Sequence, residues 1–160
     1  MRNKCIEALA NRGVLLEDMI DLIVFLQRPY MDHINREEVR EDLLEILSKR
    51  EVYFTVMTGI ALDVAVDHEE IFDPELQDYL KKDYGLYGVD EVLAYSICNL
   101  YGSIALTNFG YIDKVKPGII GELNQNKAQC NTFLDDIVGA LVAAGASKLA
   151  HSYRLEESAR

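Results

Sequence analysis

The run Asn131-Thr-Phe-Leu-Asp-Asp-Ile-Val-Gly-Ala-Leu-Val-Ala-Ala-Gly-Ala-Ser147 sets two adjacent carboxylates, Asp135 and Asp136, into an otherwise apolar stretch. Its apolar residues recur at helical spacing, and Leu134, Ile137, Leu141 and Leu149 make the stripe expected to face a core. Burying an unpaired carboxylate costs several kcal/mol. The acid pair therefore calls for a helix dipole, a cation or a proton.

Residues i, i+3 and i+4 of a helix share a face. Asp136 then neighbours Gly139 and Ala140, with Ala143 a turn further on, and Asp135 neighbours Val138 and Gly139. Gly139 leaves room beside both acids for an ion, a water or a closely packed helix. Thr132-Phe-Leu-Asp135 also has capping-box form, in which Asp135 bonds back to the Thr132 N–H. Asp136 has no such local duty, which makes it the sharper site candidate.

A second acid pair lies in Gly88-Val-Asp-Glu-Val-Leu-Ala94. Asp90 can serve as an N-cap and Glu91 can answer the helix dipole. Glu91 also sits above a strip of mostly small side chains running through Ala94, Cys98 and Gly102. Two helices of this kind can approach closely and aim Asp90, Glu91, Asp135 and Asp136 at one point. Hard divalent ions favour such oxygen donors; Mg²⁺ takes one or two carboxylates, keeps waters and bridges to phosphate. The pattern points to metal-assisted phosphoryl hydrolysis. His33, His68 and His151 are isolated, so no His/Cys cluster competes as a transition-metal site.

The remaining chain reads as helix throughout. Capping boxes at Asn35 and Ser48 predict helices over about 36–47 and 49–66. Asp73-Pro74 predicts a short helix to about Lys82. Helical periodicity covers Leu15 to Gln27 and is stopped by Pro29. A helix is expected over the first ten residues, another from Val89 towards Leu106, an interruption at Gly110, a brief helix after Pro117, and a last one from Thr132 to about Tyr153. No period-2 strand pattern and no linker are evident. The expectation is all-α: residues 1–160 as a single bundle of about seven or eight helices.

Composition narrows the function. At 160 residues, 49% hydrophobic and 27% charged, the chain suits one globular domain. A net charge of −11 argues against duplex nucleic acid and against anionic bilayers, both of which recruit clustered Lys and Arg. No run reaches the roughly 20 apolar residues of a transmembrane segment, and no signal-peptide core follows Met1. Cys5, Cys98 and Cys130 are odd in number and far apart, which suits reduced thiols and a cytoplasmic location. Between the acid pairs, Tyr101-Gly-Ser-Ile-Ala-Leu-Thr-Asn-Phe-Gly110 and Asp113-Lys-Val-Lys-Pro-Gly118 offer phosphate contacts: the Ser103 hydroxyl, and the cations Lys114 and Lys116. An ordinary kink at Gly102 and a turn near Gly110 are the structural alternative.

Tyr101 to Leu106 followed by Phe133 to Ala140 resembles the phosphatidylglycerophosphatase A family, which has a Gly-Ser-type segment upstream of an Asp-Glu-Val-Val-Gly-type segment. From the Leu-Leu-Glu-Asp helix, through Thr-Gly-Ile-Ala-Leu-Asp63, to Ala-Ser-Lys-Leu-Ala-His151, the chain resembles the soluble YutG-like, low-temperature-requirement-C-like branch. The resemblance implies Mg²⁺-dependent removal of the terminal phosphate of phosphatidylglycerophosphate. It places Asp135 and Asp136 on the family's acidic pair, Gly139 on its glycine and Ser103 on its glycine-serine segment. Asp136 stands where the membrane enzymes have Glu, and those enzymes carry spanning helices.

Three functional expectations follow. The first is an Mg²⁺-dependent phosphatase with Asp136, Asp135, Glu91 and Asp90 at the ion and Ser103, Lys114 and Lys116 at the phosphate. The second is the same chemistry on a water-soluble phosphate ester rather than a lipid. The third is a non-catalytic helical homo-oligomer that binds a ligand or partner, in which the small-residue helix Val138 to Ala146 packs between subunits.

Overall fold

Every residue from Cys130 to Ser147 is buried, so the acid pair sits in the most enclosed part of the chain. The structure, a computed structural model, describes residues 1–159. Among them are nine helices and no strand: α1 Arg2–Asn11, α2 Leu16–Gln27, α3 Arg36–Ile46, α4 Arg50–Asp67, α5 Pro74–Lys82, α6 Val89–Cys98, α7 Ser103–Val115, α8 Gly118–Gln125 and α9 Leu134–Ser158. A helix that is apolar all round belongs inside. α9 is that helix, and α2, α3, α4, α6, α7 and α8 pack around it.

Glycines let the shell close on α9. A methyl group on Gly59 of α4 would overlap the Ile137 side chain, and one on Gly145 would overlap Ile23 of α2. The run Val138 to Ala146, expected to pack between subunits, is thus consumed inside its own bundle. The apolar side chains that do stay exposed lie elsewhere, including Val89, Val92 and Tyr95 on α6.

Most predicted helix ends hold. Asp73 accepts the Leu76 N–H at 2.8 Å with Pro74 as the first residue of α5, and Asn35 accepts the Glu37 N–H at 3.0 Å. Ser48 does not cap α4; its hydroxyl donates to the Leu44 carbonyl at 2.7 Å. The helix expected from Val89 to Leu106 breaks after Cys98, because Gly102 adopts φ +83°, a conformation glycine enters without a Cβ penalty. Gly110, expected to interrupt, lies inside α7, where glycine costs only about 1 kcal/mol relative to alanine.

α7 and α9 run antiparallel. The start of α7 lies by the second half of α9, where the Ser147 hydroxyl donates to the Tyr101 carbonyl at 2.8 Å. Its far end reaches the first turn of α9 through Lys116 and Asp135. No helix among the described residues is long and apolar enough to cross a membrane. Cys5, Cys98 and Cys130 are buried free thiols.

Candidate active site

Asp135 and Asp136 open α9 and are only 3% and 5% exposed. What little they expose faces a cleft of about 220 Å³, which Asp83, Asp90, Glu91 and Asp113 also line. Among the described residues, six carboxylates therefore meet one cation, Lys116. Its Nζ lies 3.0 Å from Asp113 Oδ1 and 3.2 Å from Asp135 Oδ2. Asp135 uses its other oxygen to accept the Asp136 N–H at 2.9 Å.

The backbone is bent to make this meeting. Four non-glycine residues have positive φ among those described, and Asp83, Leu86 and Lys116 of the four line the cleft. Such conformations cost of order 1–3 kcal/mol and gather where the surrounding structure needs a side chain aimed. Lys116 owes its direction to this: it caps α7 in the left-handed region and turns back onto Asp113, three residues earlier.

Charge is poorly balanced here. Burial raises the Asp136 carboxyl far above the ordinary range, and Asp135, Asp90 and Asp113 push it further the same way. Burial also raises Asp135, with Lys116 pulling against it. Asp83 is raised by burial and by Asp90. For Lys116, burial is the largest single influence and opposes its charge, but Asp135 and Asp113 together lift it above an ordinary lysine. Adjacent buried carboxylates cannot all ionise beside one ammonium. Protonation of some of them relieves the crowding.

The donor set suits a hard divalent ion in kind: carboxylate oxygens in excess, with no sulfur or imidazole lining the cleft. Among the described residues no three such side chains are already gathered as a finished ligand set. Lys116 occupies the point between Asp113 and Asp135, and Asp90 bonds the Glu91 N–H beside it at 2.9 Å.

The pair is held in place by a helix far away in sequence. Asp63 of α4 is fully buried and accepts the Phe133 N–H at 3.1 Å and the Leu134 N–H at 2.9 Å. It caps α9 from outside, the duty the sequence assigns to Thr132 and Asp135. Thr132 instead donates its hydroxyl to the Leu80 carbonyl at 2.6 Å. One turn along α4, Asp67 accepts the Cys130 N–H at 2.6 Å and pairs with Arg12 at 2.8 Å, while Arg12 also donates to the Cys130 carbonyl. Burial pushes Asp63 up to about 7, against the N–H bonds that favour its charge.

The structure therefore brings together Asp135, Asp136, Asp90, Glu91 and Lys116 from the sequence expectation. It does not bring Ser103 or Lys114. Ser103 starts α7 and lines a different cavity, about 18 Å from the acid end along the helix axis. Lys114 is exposed and does not line the cleft. Asp90 is not an N-cap either; Gly88 takes that position with φ +76°. Beside Gly139, the room is filled by a close helix, with Phe109 and Ile112 of α7 in ordinary contact distance. Asp113 and Asp83 were missed. Asp113 stands three residues before Lys116 in sequence, a readable pairing; Asp83 gives no signal without the fold.

The phosphatidylglycerophosphatase A family model matches residues 13–151. The chain belongs to the phosphatidylglycerophosphatase A family. Within this family, it is 48% identical over 158 residues to the uncharacterized protein YutG of Bacillus subtilis, covering 98% of this chain and 95% of YutG. It is 44% identical over 148 residues to the uncharacterized YpjQ of the same organism, covering 92% of this chain and 83% of YpjQ. Its fold superposes on the crystal structure of the low temperature requirement C protein from Listeria monocytogenes with a TM-score of 0.91 at 50% identity, covering 96% of each chain. Phosphatidylglycerophosphatase A membership gives the acid cleft a chemical context, and the branch resemblance read from the sequence holds.

Proposed function

We propose that this protein is an Mg²⁺-dependent phosphatase acting on a phosphate monoester, with phosphatidylglycerophosphate as the substrate its family suggests. One observation carries the reading: six carboxylates, two of them buried side by side, surround a cleft with a single ammonium. Asp136, Asp135, Glu91 and Asp90 would hold the ion, with Asp113 and Asp83 close by. When bound, Mg²⁺ supplies charge neutralisation at the phosphoryl group and a more acidic water.

The chain's own groups do the rest. Lys116, anchored by Asp113 and Asp135, offers the one cationic donor of the cleft to a phosphate oxygen. Asp136 keeps a proton at its carboxyl until a cation replaces it, so ion binding and proton release are linked. Asp63 fixes the first turn of α9 and with it the aim of both acids.

Phosphate release from phosphatidylglycerophosphate and from a soluble monoester, with and without Mg²⁺, tests this. Release should require the ion and fall at least about 100-fold in Asp136→Asn, above the range that loss of an outer-shell partner costs. Undiminished release in a folded Asp136→Asn variant sinks the assignment. A second reading, a non-catalytic self-associating helical protein, draws on the apolar side chains exposed on α6, Val89, Val92 and Tyr95. It predicts no Mg²⁺-dependent release from either substrate and a dimer or larger species in light scattering.

A further inference from the structure

The end of α7 remote from the acids borders a second cavity, of about 420 Å³. That volume falls in the ordinary range for small-molecule pockets, about 300–1,000 Å³. Unlike the acid cleft, its lining is balanced, with Arg154 as its one cation and Glu157 as its one carboxylate among the described residues.

Gln27, at the end of α2, lines it and is only 3% exposed. Its side-chain amide makes no hydrogen bond to any described residue. The amide is not among the fully enclosed polar atoms that lack a partner, so the little surface it keeps opens into the cavity.

The 13-residue α7 begins at the same wall. Gly102 is its N-cap with φ +83°, no side chain caps it, and the N–H groups of Ser103, Ile104 and Ala105 find no backbone acceptor among the described residues. Such a terminus combines free donors with the positive end of the helix dipole, which attracts anions. Ser103 adds a hydroxyl at that edge. The exposed Arg154 of α9 also lines the cavity and makes no ion pair with a described residue. The exposed Glu157 lines the cavity one turn beyond, so the anion's place is towards α7 and Arg154. Met31 and Ile104 give part of the wall an apolar surface.

We propose that this cavity binds a small soluble organic phosphate monoester without a metal ion. The phosphate would sit between the α7 N-terminus and Arg154, the amide of Gln27 would bond the ligand, and its apolar body would rest on Met31 and Ile104. Several converging donors favour a phosphate dianion over a carboxylate, which can accept fewer bonds.

Phenyl phosphate, titrated calorimetrically in EDTA so that the acid cleft holds no divalent ion, is the probe. Saturable one-site binding is expected. Arg154→Gln and Gln27→Leu should each weaken it at least about tenfold, equivalent to about 1.4 kcal/mol. Asp136→Asn should bind as the parent does. Failure to saturate by about 10 mM, an affinity so weak that no built site is involved, overturns the proposal. So does unchanged affinity in either cavity variant, or loss in Asp136→Asn, which would move the binding to the acid cleft. Association with phosphatidic acid vesicles without phenyl phosphate binding overturns it as well, by making the ligand a lipid headgroup. Melting curves of the variants separate lost binding from lost fold.

Discussion

Asp63 illustrates how one side chain can serve two elements. It belongs to α4, yet its two oxygens satisfy the first N–H groups of α9. Asp63→Ala should therefore destabilise the protein by about 2 kcal/mol, the upper end for loss of an N-cap, since the orphaned donors are buried. Urea unfolding would measure this, and a loss under about 0.5 kcal/mol would show the cap to be dispensable. The variant should also weaken Mg²⁺ binding, because Asp63 holds the N–H groups at the start of the turn that carries Asp135 and Asp136. Sequence reading assigned this cap to Thr132 and Asp135 because their spacing permits it. The partner that prevailed lies about 70 residues away, and no local pattern can announce such a bond. Lys116 and the four expected acids were legible, since each sits at a helix end whose signals are local. Ser103 was misplaced because a segment adjacent in sequence was assumed to be adjacent in space, whereas a 13-residue helix carries its two ends about 18 Å apart.

At the scale of elements, the glycines of the bundle divide into two kinds. Gly59 and Gly145 lie where a methyl group would collide with buried isoleucines, whereas one on Gly139 would make ordinary contacts of 3.5 Å with Phe109 and Ile112. Gly59→Ala should cost about 1–3 kcal/mol as an overpacked core substitution. Gly139→Ala should be neutral or stabilising by up to about 1 kcal/mol, from helix propensity. Thermal unfolding of the two variants checks the pair, and equal effects would contradict the packing described here. The helices themselves were largely legible, because Asn35, Asp73-Pro74 and Pro29 mark ends with local chemistry. The break after Cys98 was not. Its glycine is conspicuous, but Gly110 looks the same in sequence and sits quietly within α7. Which glycine turns the chain is decided by what packs beside it.

For the whole molecule, the acid cleft and Asp63 couple stability to pH. Asp63 is raised to about 7, and Asp135 and Asp136 shift in the same direction. A carboxyl raised in the folded state favours folding when protonated. Its contribution is complete below the unfolded value, near 4, and is lost as pH rises through the folded value. Lys116 is raised too, but its contribution stays complete throughout this window and is lost only at far higher pH. The metal-free protein should therefore melt at a higher temperature at pH 5 than at pH 8. Millimolar Mg²⁺ should reverse the order, because the ion replaces protons that are scarce at pH 8 and plentiful at pH 5. Scanning calorimetry at both pH values, with EDTA or Mg²⁺, reads this directly. A metal-free protein more stable at pH 8 would mean that the acids are already neutralised within the fold.

The position of α9 in the chain has a consequence for biosynthesis. The helix at the centre of the bundle follows, in chain order, the six helices that pack around it. A nascent chain emerges from the ribosome N-terminus first, so the walls are delivered before the pillar they lean on. Until α9 appears, Ile23 and Ile112 lack the inner surface they touch at Gly145 and Gly139. The growing chain thus carries those apolar walls uncovered for most of its synthesis, the condition in which exposed hydrophobic surface favours aggregation. Its last long helix then completes the interior and the acid cleft in a single step.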